Sequence, residues 1–287
     1  MVVWRLEVMQ DRLSFQDILN KGKEILKQSG ITCFDTDAWY LLEYITGMGR
    51  AEYFLKRGET APLETITKYL KLIDTRASHM PLQYITGSQE FMGLEFKVSP
   101  DVLVPRQDTE TLVEYLLPFA KGQDILDMCT GSGCIAVSLL KLGGAASCTA
   151  ADYSEKALDI ARHNAGINGA DIKFVHSDMF KNITGTYGII VSNPPYIKTS
   201  VIDTLMHEVK GYEPLMALDG GGDGLCFYNI ISREAKNYLK PGGILAVETG
   251  YDQGKQVFEM FKESGYNDIC IRKDLSGNDR VVAAVMP

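Results

Sequence analysis

The chain is expected to fold as an α/β protein, with an open, doubly wound, mostly parallel sheet preceded by a small helical bundle. Three observations predict this. Before Pro81, apolar side chains recur at helical spacing between recognisable caps. From Gln107 onward, apolar runs of strand length alternate with amphipathic helical stretches, the pattern of a parallel sheet covered on both faces. Between the two, the period changes over Glu90–Val98, which reads as a β-hairpin.

Each element has a local reason. Ser14-Phe15-Gln16-Asp17 resembles a capping box, and Gly30 closes the helix that it opens. Asp35 or Thr36 is expected to cap a second helix that runs through Trp39, Leu42 and Ile45 and stops near Gly47. A short third helix covers Ala51 to Lys56. Pro62 is placed as the first residue of a fourth, which runs to about His79 before Pro81. The hairpin is expected to turn near Met92-Gly93. Strands follow at Asp124–Asp127, Ser147–Asp152, Ile172–His176, Gly188–Ser192, Gly243–Glu248, Asp268–Lys273 and Val281–Val285. Helices are expected at Gly133–Leu142, Ser154–Ile167, Leu225–Leu239 and Gln253–Ser264. Arg106 and Glu110 have the spacing of an i,i+4 pair at a helix start. The stretch from Ile197 to Gly224 is too long for a plain connection, and such loops are usually functional. The domain organisation that results is a helical domain over 1–85, a hairpin linker over 86–104 and a sheet domain over 105–287. A length of 287 residues accommodates two domains comfortably.

Composition narrows the function. Hydrophobic residues are 45% and charged residues 23%, as in ordinary soluble proteins, and no apolar run approaches a membrane span. Met1 to Gln10 carries Arg5 and Glu7 and does not read as a signal peptide. The 6 cysteines form no C-x-x-C pair, so neither a zinc site nor a disulfide framework is expected, and reduced thiols in a cytoplasm fit. The net charge of −8 comes without a basic stripe. That weighs against a nucleic-acid partner, whose affinity rests on neutralising phosphates. The 4 histidines are scattered and lack partners for general-base work.

Two motifs carry the chemistry. Cys129-Thr130-Gly131-Ser132-Gly133 follows a strand and opens a helix, and its glycines allow positive φ and a close backbone approach to a ligand. Exposed N–H groups at the helix start are expected to be free for a polar or anionic group. Asp152 ends the next strand, where a carboxylate can accept hydrogen bonds from both hydroxyls of a ribose. Gly131-Ser132-Gly133-Cys134-Ile135-Ala136 also fits G-x-G-x-x-A, so this loop alone leaves a dinucleotide-dependent dehydrogenase open. The second motif is Asn193-Pro194-Pro195-Tyr196, after the fourth strand. The prolines fix φ and remove two donors, and Pro194 holds Asn193 extended. The Asn193 side-chain oxygen and the Pro194 carbonyl can each accept one N–H of a planar NH₂ group, while Tyr196 packs on it. Such a turn orients a nitrogen toward a methyl donor and has no use in a dehydrogenase.

With both motifs in hand, the sequence resembles the HemK/PrmC family of release-factor glutamine methyltransferases. The likeness covers almost the whole chain. It is carried by Pro81–Gly87, Phe91–Leu94, Val104-Pro105-Arg106-Gln107-Asp108-Thr109-Glu110, Glu213-Pro214, Ala217-Leu218, Gly221–Leu225 and Glu248-Thr249-Gly250. The resemblance implies a Rossmann-like class I methyltransferase sheet and S-adenosyl-L-methionine as cofactor, with no metal. It implies N5-methylation of the glutamine in the Gly-Gly-Gln tripeptide of class I peptide-chain release factors. Cofactor contacts would come from Cys129, Thr130, Gly131, Ser132, Gly133, Asp152, Met179 and Asn193. Asn193, Pro194, Pro195 and Tyr196 would hold the substrate glutamine, and the helical domain would recognise the protein substrate. Cys129 stands where many members have glycine, and Met179 where others carry an aromatic residue. Two alternatives remain, since adenine-N6 also offers a planar NH₂ and a sister branch modifies a ribosomal-protein glutamine. No nucleic-acid or membrane contact is expected.

Overall fold

A computed structural model describes residues 13–287, so the reading of Met1 to Gln10 lies outside the described residues. The chain divides into two compact units, one ending at Thr86 and one running from Gly87 to Pro287.

The first unit is helical: α1 (Phe15–Gln28), α2 (Phe34–Thr46), α3 (Arg50–Lys56), α4 (Leu63–Ala77) and the short α5 (Leu82–Thr86). Ser14 and Asp17 close a reciprocal capping box on α1, with Asp17 N–H donating to Ser14 Oγ at 3.2 Å and Ser14 N–H to Asp17 Oδ2 at 2.9 Å. The second cap differs from expectation. α2 starts at Phe34 behind Cys33 with no side-chain cap, so Asp35 and Thr36 lie inside its first turn. There the Asp35 charge favours the positive helix end and pairs with Lys23 at 2.6 Å. Ile18, Leu26, Trp39, Leu41, Leu42, Tyr69 and Ile73 form the core of the bundle. Tyr69 crosses α1 where only Gly22 leaves room, since a Cβ there would lie 2.2 Å from its hydroxyl.

The second unit opens with β1 (Ser88–Phe91) and β2 (Leu94–Lys97), an antiparallel hairpin. Its turn residues Met92 and Gly93 both take positive φ, 52° and 73°, which matches the strand twist. Phe91 and Phe96 are buried in the core of this unit. Then follow α6 (Gln107–Ala120), β3 (Asp124–Met128), α7 (Cys134–Gly143), β4 (Ser147–Asp152), α8 (Glu155–Ile167), β5 (Lys173–His176) and β6 (Tyr187–Ser192). The stretch read as irregular holds α9 (Thr199–Ile202), α10 (His207–Tyr212) and a 3₁₀ turn at Leu215–Ala217. The chain closes with α11 (Cys226–Glu234), β7 (Leu239–Glu248), α12 (Gly254–Glu263), β8 (Asn267–Lys273) and β9 (Asp279–Val285). β7 starts earlier than expected because Leu239 pairs with Tyr187 across an irregularity in the register.

The 7 strands lie in the order β5-β4-β3-β6-β7-β9-β8, parallel except where β9 meets β7 and β8. Successive strand residues face opposite sides. Ile125, Ile189 and Val191 therefore pack with α6 and α7, while Leu126, Met128 and Ile190 pack with α11 and α12. β3 is the point where the order reverses, with β4 on one side and β6 on the other. Open α/β sheets bind ligands at the carboxyl ends of strands at such a point.

One buried ion pair offers a test of the bundle. Arg76 Nε meets Asp37 Oδ2 at 2.7 Å, and both side chains are buried. Arg76→Met leaves Asp37 without its guanidinium, which is expected to cost about 3–5 kcal/mol. The unfolding midpoint followed by circular dichroism should fall, and Asp37→Leu added to Arg76→Met should recover most of it. An unchanged midpoint in Arg76→Met would show that the pair contributes nothing.

Candidate active site

β3 and β6 run side by side with Met128 opposite Ser192, and Ser192 Oγ donates to the Met128 carbonyl at 2.7 Å. The loop after β3 and the turn after β6 therefore leave the sheet together. A cavity of about 470 Å³ opens at their end. Cys129, Thr130, Gly131, Ser132, Asp152, Met179, Asn193 and Pro195 line it, and Gly133, Pro194 and Tyr196 are not among its lining residues. Met128, Ile135 and Phe227 add apolar wall. Concave, mainly apolar pockets with a few convergent polar groups are typical of ligand sites. Among the described residues, no group of three or more His, Cys, Asp or Glu side chains is placed to hold a metal ion.

The loop is rigid for local reasons. Cys129, Gly131 and Gly133 all take positive φ, 60°, 54° and 80°. At Gly133 a Cβ would lie 3.1 Å from Ala161 Cβ, so α7 and α8 approach closely there. Buried Asp127 accepts from Thr130 Oγ1 at 2.5 Å and from Ala136 N–H at 3.2 Å through one oxygen, while the other has no partner. Asp152 accepts from Gly131 N–H at 2.8 Å and Ser154 N–H at 2.9 Å, one on each oxygen. Several amides read as free for a ligand are therefore committed internally: Gly131 to Asp152, Gly133 to the Thr130 carbonyl and Ala136 to Asp127. Each Asp152 oxygen keeps a lone pair. Burial raises the Asp152 carboxyl above its ordinary value. Burial and the Asp152 charge push the Cys129 thiol well above the usual thiol range.

The turn is clasped from three sides. Asn193 Nδ2 donates to Thr109 Oγ1 of α6 at 3.2 Å. Tyr196 hydroxyl donates to Glu248 Oε1 at the end of β7 at 3.2 Å. Gln253 Nε2 donates to the Tyr196 carbonyl at 2.9 Å. Gly220 and Gly224 lie against the turn so closely that a Cβ would meet Tyr196 Cα at 2.7 Å and the Tyr196 carbonyl oxygen at 2.5 Å. Burial pushes the Glu248 carboxyl up to about 7, against the charge of Arg280 and the hydrogen bond from the Tyr196 hydroxyl. Arg106 does not pair with Glu110. It reaches Glu213, whose carboxylate is buried, while Glu110 Oε1 takes the Met92 N–H at 2.6 Å. A tertiary partner wins over the local spacing in both cases.

The comparisons with known proteins agree with this geometry. A family model described as PrmC N-terminal domain matches residues 17–87, and one described as Methyltransferase small domain matches 106–210. A Geobacter sulfurreducens protein named "Release factor glutamine methyltransferase" is 38% identical over 271 residues, covering 94% of this chain and 95% of its own. The chain belongs to the release factor glutamine methyltransferase family. A second member, from Clostridium acetobutylicum, is 37% identical and covers 95% of this chain and 99% of its own. A solved methyltransferase from Pyrococcus furiosus shares the fold over 68% of this chain and 90% of its own, with a TM-score of 0.53 at 23% identity.

Thr109, Glu248, Gln253 and the partner of Arg106 are members of the site that sequence reasoning did not assign. Glu248 left one signal, an acid at the end of an apolar strand. Asp127 is another such acid, and it makes a pH prediction. Burial pushes it up to about 7, above the ~3.9 of an unfolded Asp. Between those values the folded state holds a proton that the unfolded state has lost, so stability falls as pH rises. The melting temperature of the native chain should fall relative to Asp127→Asn as pH rises from about 5 to about 7, with no further change above about 8. A difference in melting temperature that does not vary with pH would mean that Asp127 is ionised throughout.

Proposed function

We propose that this protein methylates the side-chain amide nitrogen (N5) of the glutamine in the Gly-Gly-Gln tripeptide of class I peptide-chain release factors, using S-adenosyl-L-methionine. The observation that carries the reading is the clasped Asn193–Tyr196 turn beside the Cys129–Gly133 loop at one cavity, in a chain whose relatives are named for release factor glutamine methylation. The residues present fit the cofactor. Asp152 keeps two lone pairs for ribose hydroxyls, the loop backbone borders the cavity, and Met128, Ile135, Met179 and Phe227 offer apolar surface. When bound, the cofactor supplies an electrophilic methyl group on a sulfonium.

The chain's own part is orientation. Asn193 Oδ1 and the Pro194 carbonyl accept the two N–H groups of the glutamine amide, which turns the nitrogen lone pair toward the methyl. Tyr196, fixed by Glu248 and Gln253, backs the turn. The proton lost by the nitrogen on methylation passes to water or to the Pro194 carbonyl, and no side chain acts as a general base. None of the 4 histidines lines the cavity.

The helical domain, residues 1–85, is assigned to recognition of the release factor, and the methyltransferase domain takes in the hairpin as well as 105–287, since Phe91 and Phe96 are buried in its core. The exposed Tyr40, Tyr44, Phe54 and Leu55 of the helical domain provide apolar contact area. The net charge of −8 supports a protein substrate without direct nucleic-acid contact. No helix among the described residues is long and apolar enough to cross a membrane. The cysteines are unpaired, as suits a reducing cytoplasm.

The deciding experiment incubates enzyme, labelled cofactor and release factor, with DNA in parallel, and maps the label by mass analysis of the tryptic Gly-Gly-Gln peptide. One methyl on that glutamine is expected, and Asn193→Ala should lower kcat by ~10²–10³ with little change in melting temperature. Label on adenine, or wild-type kcat in Asn193→Ala, would overturn the reading. Calorimetry supplies an independent check. Asp152→Ala should weaken S-adenosylmethionine binding by about 10- to 100-fold, and unchanged affinity would remove Asp152 from the site.

A further inference from the structure

The helical unit has a recess of its own, about 190 Å³ in volume, walled by α1, α2 and α3. Pockets that take a whole small molecule measure roughly 300–1,000 Å³, so this one is sized for a single inserted side chain. Part of its wall is aromatic. Trp39, only 3% exposed, meets Tyr53 edge to face with ring centroids 5.1 Å apart. Its charge is one-sided. Lys23 and Asp35 both line it and neutralise each other at 2.6 Å. Arg50 and Arg57 remain, two cations in a chain whose net charge is −8.

These two guanidiniums are placed but not engaged. Arg50 lies over the Trp39 ring at 4.6 Å, and Arg57 over the Phe54 ring at 5.5 Å. Such stacking holds a guanidinium by its face and uses none of its five N–H donors. Both arginines are exposed. Among the described residues, neither side chain has an ion-pair or hydrogen-bond partner. A planar fork of idle donors matches an oxyanion in bidentate fashion, as carboxylates and phosphates are bound. Because the rings already order both side chains, little ordering is left to be done when the anion arrives.

The surroundings favour a carboxylate over a phosphate. A nucleic-acid backbone is gripped by a row of cations that neutralises successive phosphates, whereas this recess offers two in an acidic chain. Trp39 and Phe54 also present apolar surface beside the guanidiniums, which suits the methylene stem of an acidic side chain.

We propose that this recess is an anion anchor for the protein substrate: it receives an Asp or Glu side chain from the surface of the release factor, and Arg50 and Arg57 bind the carboxylate. The inference rests on the assignment of the helical domain to release-factor recognition. It adds the chemistry of the contact, and it requires that recognition weaken with salt.

Two measurements on the full-length enzyme test it. The first is steady-state methylation of release factor by Arg50→Glu/Arg57→Glu, with Arg50→Gln/Arg57→Gln beside it should the reversed pair fold poorly. KM for release factor should rise on the order of 10- to 10²-fold in the reversed pair and about 3- to 10-fold in the neutral pair. kcat, cofactor affinity by calorimetry and melting temperature should stay near wild type, since binding lost equally from ground state and transition state moves KM alone. The increase of KM with salt should be shallower in both variants than in wild type. Arg50→Lys/Arg57→Lys keeps the charge without the planar fork and should recover only part of the affinity. The second measurement is hydrogen exchange of the wild-type enzyme, where release factor should slow exchange in α1 and α3.

Unchanged KM and salt dependence in both variants overturn the proposal, and so does a loss that follows a fallen melting temperature in both. Protection elsewhere in the helical domain, beside wild-type KM in the variants, removes the anchor and leaves the domain assignment standing. No protection anywhere in the helical domain removes both. Unchanged KM for release factor beside weakened binding of a single-stranded RNA oligonucleotide assigns the arginines to phosphate and overturns the proposal as well.

Discussion

The site depends on the parallel pairing of β3 with β6. A register that sets Met128 opposite Ser192, sealed by the Ser192 hydroxyl on the Met128 carbonyl, makes both strands end at the same height. The Cys129–Gly133 loop and the Asn193–Tyr196 turn then start as neighbours. A slip of one residue would exchange the two faces of β6. It would carry Ile190 out of the cluster under α11 and α12 and turn Asn193 away from the cavity. The apolar packing that holds the sheet together is therefore also what aligns the two motifs.

Around that register the remaining short motifs of the chain find one another. Arg106 reaches Glu213, Thr109 reaches Asn193, and Glu110 reaches Met92 in the hairpin. Residues that are adjacent at the start of α6 thus address three separate segments. α6 acts as a splint that ties the hairpin, the turn after β6 and the segment after α10 to a single helix end. The long stretch between β6 and α11 returns the favour from the other side. Its glycines leave the turn no space to relax, and Ile197 N–H and Gly220 N–H bond across to Leu218 and Ile197 carbonyls at 2.9 and 2.8 Å.

Much of this was legible because it is local. A glycine loop between strand and helix, a Pro-Pro turn and a capping box each state their geometry within a few residues. The alternation of strand and helix declares the sheet for the same reason. What stayed hidden depends on partners far apart in the chain. Asn193 and Thr109 are separated by 84 positions, Tyr196 and Glu248 by 52, and Arg106 and Glu213 by 107. No spacing rule brings such pairs together before the fold does. Where a local rule was applied to residues that have a distant partner, it failed. Arg106 abandons Glu110 for a buried carboxylate, and α2 begins without the cap that Asp35 or Thr36 could have provided. The hairpin shows the opposite case, since its turn at Met92-Gly93 was visible in sequence but the burial of Phe91 and Phe96 in the larger unit was not.

The cavity wall also contains two thiols, those of Cys129 and Cys134. A sulfur nucleophile beside a methyl sulfonium is a hazard, because the attacking species in thiol alkylation is the thiolate. Both thiols are shifted toward their neutral form. Burial and nearby carboxylate charge raise Cys129 far above neutrality, and burial pushes Cys134 up to about 12. Asp152, the residue suited to grip a ribose, is also the charge that makes ionising Cys129 more costly. The same carboxylate that is suited to grip a ribose therefore also disfavours a thiolate at Cys129.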